Sequence, residues 1–177
     1  LDELKQIGFD TVELPCFDLD SLDNYAKWGK RLDALGLSRT GTAVRGPGDN
    51  PMSADPAVRR NGVEANKRNL DCCAAAGCEV MAGPFHSGLG VFSGKGPTPD
   101  EWKWAVESMQ QVAEHAAKVG VMLGLEYLNR FECYLLNTAV DGARFCRDVN
   151  HPNCKMMYDT FHSHIEEKNT PSAIRAL

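Results

Sequence analysis

Apolar and polar positions along the chain follow two periods, one typical of strands and one typical of helices. Short apolar runs bounded by turn residues predict strands at 9–15, 37–44, 78–84, 121–126 and 154–159. Between them, apolar residues recur at helical spacing and predict helices at about 22–35, 57–76, 98–119 and 138–149, with one helix ending at Gly8 and another opening at Thr170.

The predicted helix ends carry suitable capping residues. Asp20 or Ser21 would cap the helix that follows the first strand. Thr98 with Pro99 is a strong start, because a capping hydroxyl and a proline at the first helical position both favour initiation. Glycines end four of the predicted helices, at Gly8, Gly36, Gly77 and Gly120.

Strand and helix alternate five times, and this order favours a parallel α/β sheet. The long Gly-rich and Pro-rich connections all follow strands, whereas the links from helix to strand are tight. That asymmetry is typical of a (β/α)8 TIM barrel, whose functional loops follow the strands. A flavodoxin-like open sheet is the alternative, but it would place a phosphate-binding glycine loop after the first strand, and residues 13–20 do not form one.

Composition narrows the possible partners. A chain of 177 residues with 43% hydrophobic content can form one domain with a sizeable core. Lys and Arg number 19 against 24 Asp and Glu, giving a net charge of -5 without a basic run. We therefore expect no nucleic-acid partner, because phosphate contacts need clustered basic residues. No apolar stretch reaches the length that spans a bilayer, so we expect no membrane partner.

The seven cysteines do not form CxxC pairs, and several lie inside apolar runs. We expect free, buried thiols in a reducing compartment, which implies a cytoplasmic protein. Their spacings do not predict a zinc cluster. The cysteines are Cys16, Cys72, Cys73, Cys78, Cys133, Cys146 and Cys154.

Candidate chemistry lies at the ends of the last two predicted strands. Glu126 ends the apolar run 121–125, and Asp159 ends the next strand, with His162 three residues later. A carboxylate at the end of a buried strand is costly unless it is paired. Two hard-oxygen ligands and an imidazole predict a divalent metal above the sheet. A lone strand-end Glu would more often be a salt-bridge partner, and the later Asp and His reverse that balance.

Other polar residues near these strands have less certain roles. Arg130 is expected to pair with a neighbouring carboxylate rather than with substrate. His164, Glu166 and Glu167 are expected to be solvated. His86 is placed either on the loop surface or at the rim of an active site.

Two segments carry a family resemblance, VGVMLGLEYLNRFE at 119–132 and MYDTFHSHIEE at 157–167. They resemble the ketose 3-epimerases, the D-tagatose/D-psicose 3-epimerase group of the xylose-isomerase-like TIM-barrel superfamily. GFDTVELP and GCEVMAGP resemble the second and fourth strands of this family, and the two motifs resemble its fifth and sixth. The resemblance implies that residues 1–177 form a single partial TIM-barrel domain of roughly strands two to six, lacking the first and the last strands.

The resemblance also implies roles for individual residues. Glu126 would be a metal ligand and a catalytic acid/base, and Asp159 would be a second metal ligand. Glu132 and His162 would hydrogen-bond a small-molecule sugar. The metal would be Mn²⁺ or Co²⁺, with Mg²⁺ possible, and a remaining His, Arg and Glu are expected beyond Leu177. The family activity is isomerase chemistry, epimerising a ketose at C3 through an enediolate, and homo-oligomers occur.

Three alternatives stay open. The protein could be another enzyme of the superfamily, such as a hydroxypyruvate isomerase or an inosose dehydratase. An endonuclease IV-like DNA-repair enzyme is disfavoured, because its trinuclear site needs more His than the five present here, and the chain is acidic. The chain could also be inactive, and we expect residues 1–177 alone to bind metal weakly and to turn over ketose negligibly.

Overall fold

The computed structural model describes residues 1–17 and 21–177. In these residues the strands are β1 Thr11–Pro15, β2 Ser38–Thr42, β3 Val80–Gly83, β4 Met122–Glu126 and β5 Cys154–Met157. The helices are α1 Asp2–Ile7, α2 Leu22–Leu35, α3 Pro56–Ala76, α4 Pro99–Val119, α5 Ala139–Val149, α6 Thr160–Glu166 and α7 Thr170–Ala176, with a 3₁₀ turn at Pro47–Asp49.

The five strands form one parallel sheet in the order β1-β2-β3-β4-β5. In β4, Gly124 lies opposite Ala82 of β3 on one side and Lys155 of β5 on the other. Sequential order is typical of a TIM barrel, whereas a flavodoxin-like sheet has its second strand outside the first. The predicted α/β barrel architecture is therefore confirmed for this part of the chain.

The helix starts are built as the sequence predicts. Ser21 accepts a hydrogen bond from the Asn24 N–H at 3.4 Å, while Asp20 lies outside the described residues. Thr98 and Glu101 form a reciprocal capping box, with N–H to side-chain oxygen distances of 3.2 and 2.7 Å. These caps satisfy N–H groups in the first turn and fix the residues at which α2 and α4 begin.

The core lies between the sheet and the packed layer of α2, α3 and α4. Large side chains from helix and strand are fully buried there, including Tyr25, Leu32, Leu70, Met109, Met81 and Leu123. Full burial of one such side chain contributes about 1.5–3 kcal/mol. This packing holds the strands in place, and it therefore also determines where the residues at their carboxyl ends lie.

The last strand is shorter than predicted, because β5 ends at Met157 and helix α6 begins at Thr160. Asp159 caps α6 and accepts hydrogen bonds from the N–H groups of Phe161 and His162 at 2.6 and 3.2 Å. Across the two described ranges, none of the helices combines the length and apolar character needed to cross a membrane.

Candidate metal centre

Glu126, Asp159 and His162 converge at the carboxyl edge of the sheet. Glu126 is the last residue of β4, Asp159 follows β5, and His162 lies in the first turn of α6. Because β4 and β5 are neighbouring parallel strands, their carboxyl ends meet at one edge. One ligand atom from each of the three side chains lies within 4.8 Å of the others. We call this group the carboxylate cluster.

Glu126 is largely enclosed, with 13% of its side chain exposed. Burial raises the pKa of Glu126 to about 7, and the neighbouring Asp159 carboxylate adds to the shift. Two carboxylates held this close without a cation repel each other, and one of them is favoured in its protonated form. A divalent ion would remove that repulsion, so the donors present fit a hard cation.

His162 has a defined tautomer in this setting. Its Nδ1 accepts hydrogen bonds from the backbone N–H of Asn129 at 3.1 Å and from the Asn129 side-chain amide at 2.9 Å. The neutral ring therefore carries its proton on Nε2, which lies 3.5 Å from Glu126 Oε1. This arrangement presents an N–H donor to the cluster, and a donor suits a sugar oxygen better than a metal ion.

Glu132 lies in the loop after β4 and is joined to His162 through Asn129. The Asn129 amide donates to Glu132 Oε1 at 2.9 Å, while its carbonyl oxygen accepts from the Phe131 N–H at 3.0 Å. One buried amide therefore orients both residues that the sequence predicted as sugar-binding. No role for Asn129 was predicted from the sequence, although its position between Glu126 and Glu132 was a usable signal.

Arg130 binds Glu166, as the sequence analysis expected for a structural arginine. Its backbone N–H and Nη2 each donate to the Glu166 carboxylate at 2.7 Å. The Glu166 side chain is only 3% exposed, so the expectation of a solvated Glu166 is wrong. Glu167 also has a specific partner, accepting from the Ala139 N–H at 2.7 Å, whereas His164 is exposed as expected. Helix α6 folds its last turn back onto the loop after β4, and sequence periodicity does not reveal that contact.

His86 lies neither on the loop surface nor at the rim, because it is completely buried. Its Nε2 lies 2.9 Å from the backbone carbonyl oxygen of Glu126. Burial lowers the pKa of His86 to about 4, so the ring is neutral and donates its Nε2–H to that carbonyl. His86 therefore stabilises the end of β4 through its hydrogen bond to the backbone of Glu126.

Glu13 of β1 is a further acidic group near the carboxylate cluster, and no role for it was predicted from the sequence. Burial raises the pKa of Glu13, and its charge adds to the upward shift of the Glu126 pKa. The alternation of Val12, Glu13 and Leu14 was the available signal, because it turns the acid to the opposite face from its apolar neighbours.

The arrangement of strands and carboxylates can be compared with known proteins. A family model described as the xylose isomerase-like TIM barrel matches residues 1–176. The chain belongs to this family. An L-ribulose 3-epimerase of Mesorhizobium japonicum is 36% identical over 176 residues, covering 99% of this chain and 58% of the relative. A D-psicose 3-epimerase of Ruminiclostridium cellulolyticum is 33% identical over 178 residues, covering 99% and 61%.

Solved structures of the family match equally well. A D-psicose 3-epimerase with D-tagatose from Clostridium cellulolyticum superposes with a TM-score of 0.92 at 31% identity, covering 99% of this chain and 62% of that chain. The structure of an L-ribulose 3-epimerase gives a TM-score of 0.88 at 35% identity, covering 97% and 57%. The chain thus spans about three fifths of the length of these family members.

Proposed function

We propose that this chain forms the greater part of a metal-dependent ketose 3-epimerase, comprising roughly strands two to six of the barrel. The observation that carries the proposal is the carboxylate cluster at the carboxyl edge of the sheet, where TIM-barrel enzymes bind substrate. The names of the related proteins, L-ribulose 3-epimerase and D-psicose 3-epimerase, support a ketose as the substrate class.

Glu126 and Asp159 would hold the metal, with the remaining ligands supplied by residues outside this chain. Carboxylate donors suit Mn²⁺ or Co²⁺, with Mg²⁺ as a further candidate, and they do not suit a thiophilic ion. When bound, such an ion polarises the ketone oxygen and stabilises the negative charge of an enediolate.

Glu126 would remove the proton from C3 on one face of the ketose, and the remaining Glu that the family resemblance implies would return a proton on the other face, which inverts C3. Burial raises the pKa of Glu126 in the metal-free protein, and a bound cation would lower that pKa and keep the carboxylate ionised, so that it can accept the proton. His162 would donate its Nε2–H to a sugar oxygen, and Glu132 would accept from a sugar hydroxyl. Asn129 holds these two groups in one orientation, so both contacts would form together.

Exchange of the C3 hydrogen in deuterated water tests this proposal in the full-length protein with Mn²⁺. D-psicose and L-ribulose should gain deuterium at C3 as they epimerise. Removal of an acid/base group typically lowers the rate about 10²–10⁴-fold, so Glu126→Gln should lose exchange to that extent. The control is Glu107→Gln, which changes an exposed carboxylate of α4. Full exchange in Glu126→Gln would remove this residue from the mechanism, and exchange at another carbon would indicate a different superfamily reaction.

A further inference from the structure

Three cysteine thiols meet away from the carboxylate cluster. Cys16 follows β1, Cys73 lies in the last turn of α3, and Cys78 follows the turn that ends α3. Their sulfur atoms all lie within 4.8 Å of one another, and the three residues are between 0% and 4% exposed. We call this group the thiol cluster. It is separate from the residues of the proposed sugar site.

Two of the thiols are brought together by the end of α3. Gly77 has a left-handed backbone with φ of 72°, and the Cys78 N–H donates to the Cys73 carbonyl at 2.8 Å. This closed turn returns the chain so that Cys78 approaches Cys73. The segment CAAAGC at 73–78 therefore brings two cysteine sulfur atoms together across a helix end, as a CxxC motif does within a shorter turn.

The third thiol has room because Gly41, the fourth of the five residues of β2, has no side chain. A Cβ on Gly41 would overlap Cys73 Sγ and would lie 2.9 Å from Cys16 Sγ. Glycine inside a strand is less stable than alanine by roughly 0.5–1 kcal/mol, so this position bears a conformational penalty. The space gained by omitting the Cβ is filled by two sulfur atoms.

One cation lies beside the thiol cluster. The Arg39 Nε donates to the Ala76 carbonyl at 2.9 Å, and a Cβ on Gly77 would overlap the Arg39 guanidinium. The thiols of Cys16 and Cys73 donate toward the Cys78 sulfur, and together with the Arg39 charge they lower the pKa of Cys78. Contacts with Cys16 and Cys78 and burial raise the pKa of Cys73, and the pKa of Cys16 is raised as well. In the metal-free protein the cluster is therefore disposed to hold one thiolate, on Cys78.

We propose that Cys16, Cys73 and Cys78 form a soft-metal site that binds one Cu(I) ion through three thiolate sulfurs. Thiolate donors select thiophilic ions such as Cu(I) and Zn²⁺. Structural Zn²⁺ sites use four protein ligands, whereas within residues 1–17 and 21–177 the group whose ligand atoms lie within 4.8 Å of one another has three members, and the neighbouring Cys72 is not among them. Binding releases the remaining thiol protons to water and transfers no electron. Because the sulfurs are buried, the ion enters through local opening near the end of α3, and we expect slow loading.

Anaerobic titration of the reduced, metal-free chain tests the proposal. Cu(I) is supplied as its complex with a chromogenic chelator, so that uptake is measured by loss of the chelator's colour. The chain should take up a single tightly held equivalent, and copper X-ray absorption should show three sulfur ligands without nitrogen or oxygen. Excess Mn²⁺ should not displace the copper, and Asp159→Asn should bind it equally well, which keeps this test independent of the proposed epimerase activity.

Variants locate the bound ion. Loss of a supporting group outside the ligand set already costs 10–100-fold in metal affinity, so Cys73→Ser should weaken Cu(I) binding by at least about 100-fold. Cys146→Ser is the matched control, because Cys146 lies 3.8 Å from Cys154 in a separate thiol pair. Unchanged affinity in Cys73→Ser, or loss of the tight equivalent in Cys146→Ser, would overturn the proposal. A two-sulfur coordination shell in the unaltered chain would overturn it as well, and this measurement needs no variant to fold.

Discussion

The carboxylate cluster and the thiol cluster lie in the same barrel segment and differ in almost every property that governs metal choice. The first uses oxygen donors at the open edge of the sheet, where side chains of successive strands can reach a substrate. The second uses sulfur donors between β2 and the end of α3, and none of its three cysteines is more than 4% exposed. Under the two proposals, one fold would offer a hard site and a soft site to different ions, and its place at the open edge of the sheet would give only the first access to a sugar.

The strongest test of the difference between the two clusters is to remove one oxygen ligand from the carboxylate cluster. Asp159→Asn withdraws one of the two carboxylates and should weaken Mn²⁺ binding by at least about 100-fold, since even supporting groups contribute 10–100-fold. Mn²⁺ binding is measured by electron paramagnetic resonance of the free ion in the full-length protein. The amide keeps an oxygen that can cap α6, so far-ultraviolet circular dichroism should be unchanged. Equal Mn²⁺ affinity in Asp159→Asn would show that the ion binds elsewhere.

The second way uses the stability of the metal-free chain. The folded pKa of Glu126 is raised to about 7, above the ordinary value of 4.5. Between these values the folded state keeps a proton that the unfolded chain has released, so stability should fall as the pH rises through that window, by about 2 kcal/mol between pH 5 and pH 7. Urea unfolding at about pH 5 and pH 7 measures this. Glu126→Gln should lose the decline, and an equal decline in that variant would assign it to another group.

The smallest effect concerns the packing of the thiol cluster. Gly41→Ala inserts a methyl group into the space that holds Cys73 Sγ, and overpacking of this kind costs about 1–3 kcal/mol. Gly48→Ala is the matched control, because a Cβ there would meet nothing within 4 Å. Denaturant unfolding of the two variants measures the difference. Equal free energies of unfolding for the two variants would mean that the sulfur atoms move aside freely and are not held in a fixed arrangement.

The hard site could be predicted because each of its carboxylates ends a predicted strand. Parallel pairing of β4 and β5 then brings Glu126 and Asp159 to one edge without further information. The resemblance to ketose 3-epimerases rested on the same two segments, and the family match bears it out. Local sequence patterns and the order of the strands are therefore sufficient to predict that Glu126 and Asp159 lie together.

The thiol cluster could not be predicted in the same way. Cys16 and Cys73 are far apart in sequence, and their contact depends on the absence of a side chain at Gly41. Glu166 gives a similar lesson, because its burial follows from the way α6 packs against Arg130. Neither contact repeats with a helical or strand period, and so hydrophobic patterning does not report it.

The contacts of Asn129 and Arg130 have a consequence for how such an enzyme diversifies. Asn129 bonds His162, and Arg130 bonds Glu166, so the segment after β4 and helix α6 are stitched together at two points. Glu126 belongs instead to the strand below. Under the proposed function, substitutions in α6 would therefore move the proposed sugar-binding groups together while leaving Glu126, the proposed base, in place. Substrate preference would then change without a change in the proton-transfer step.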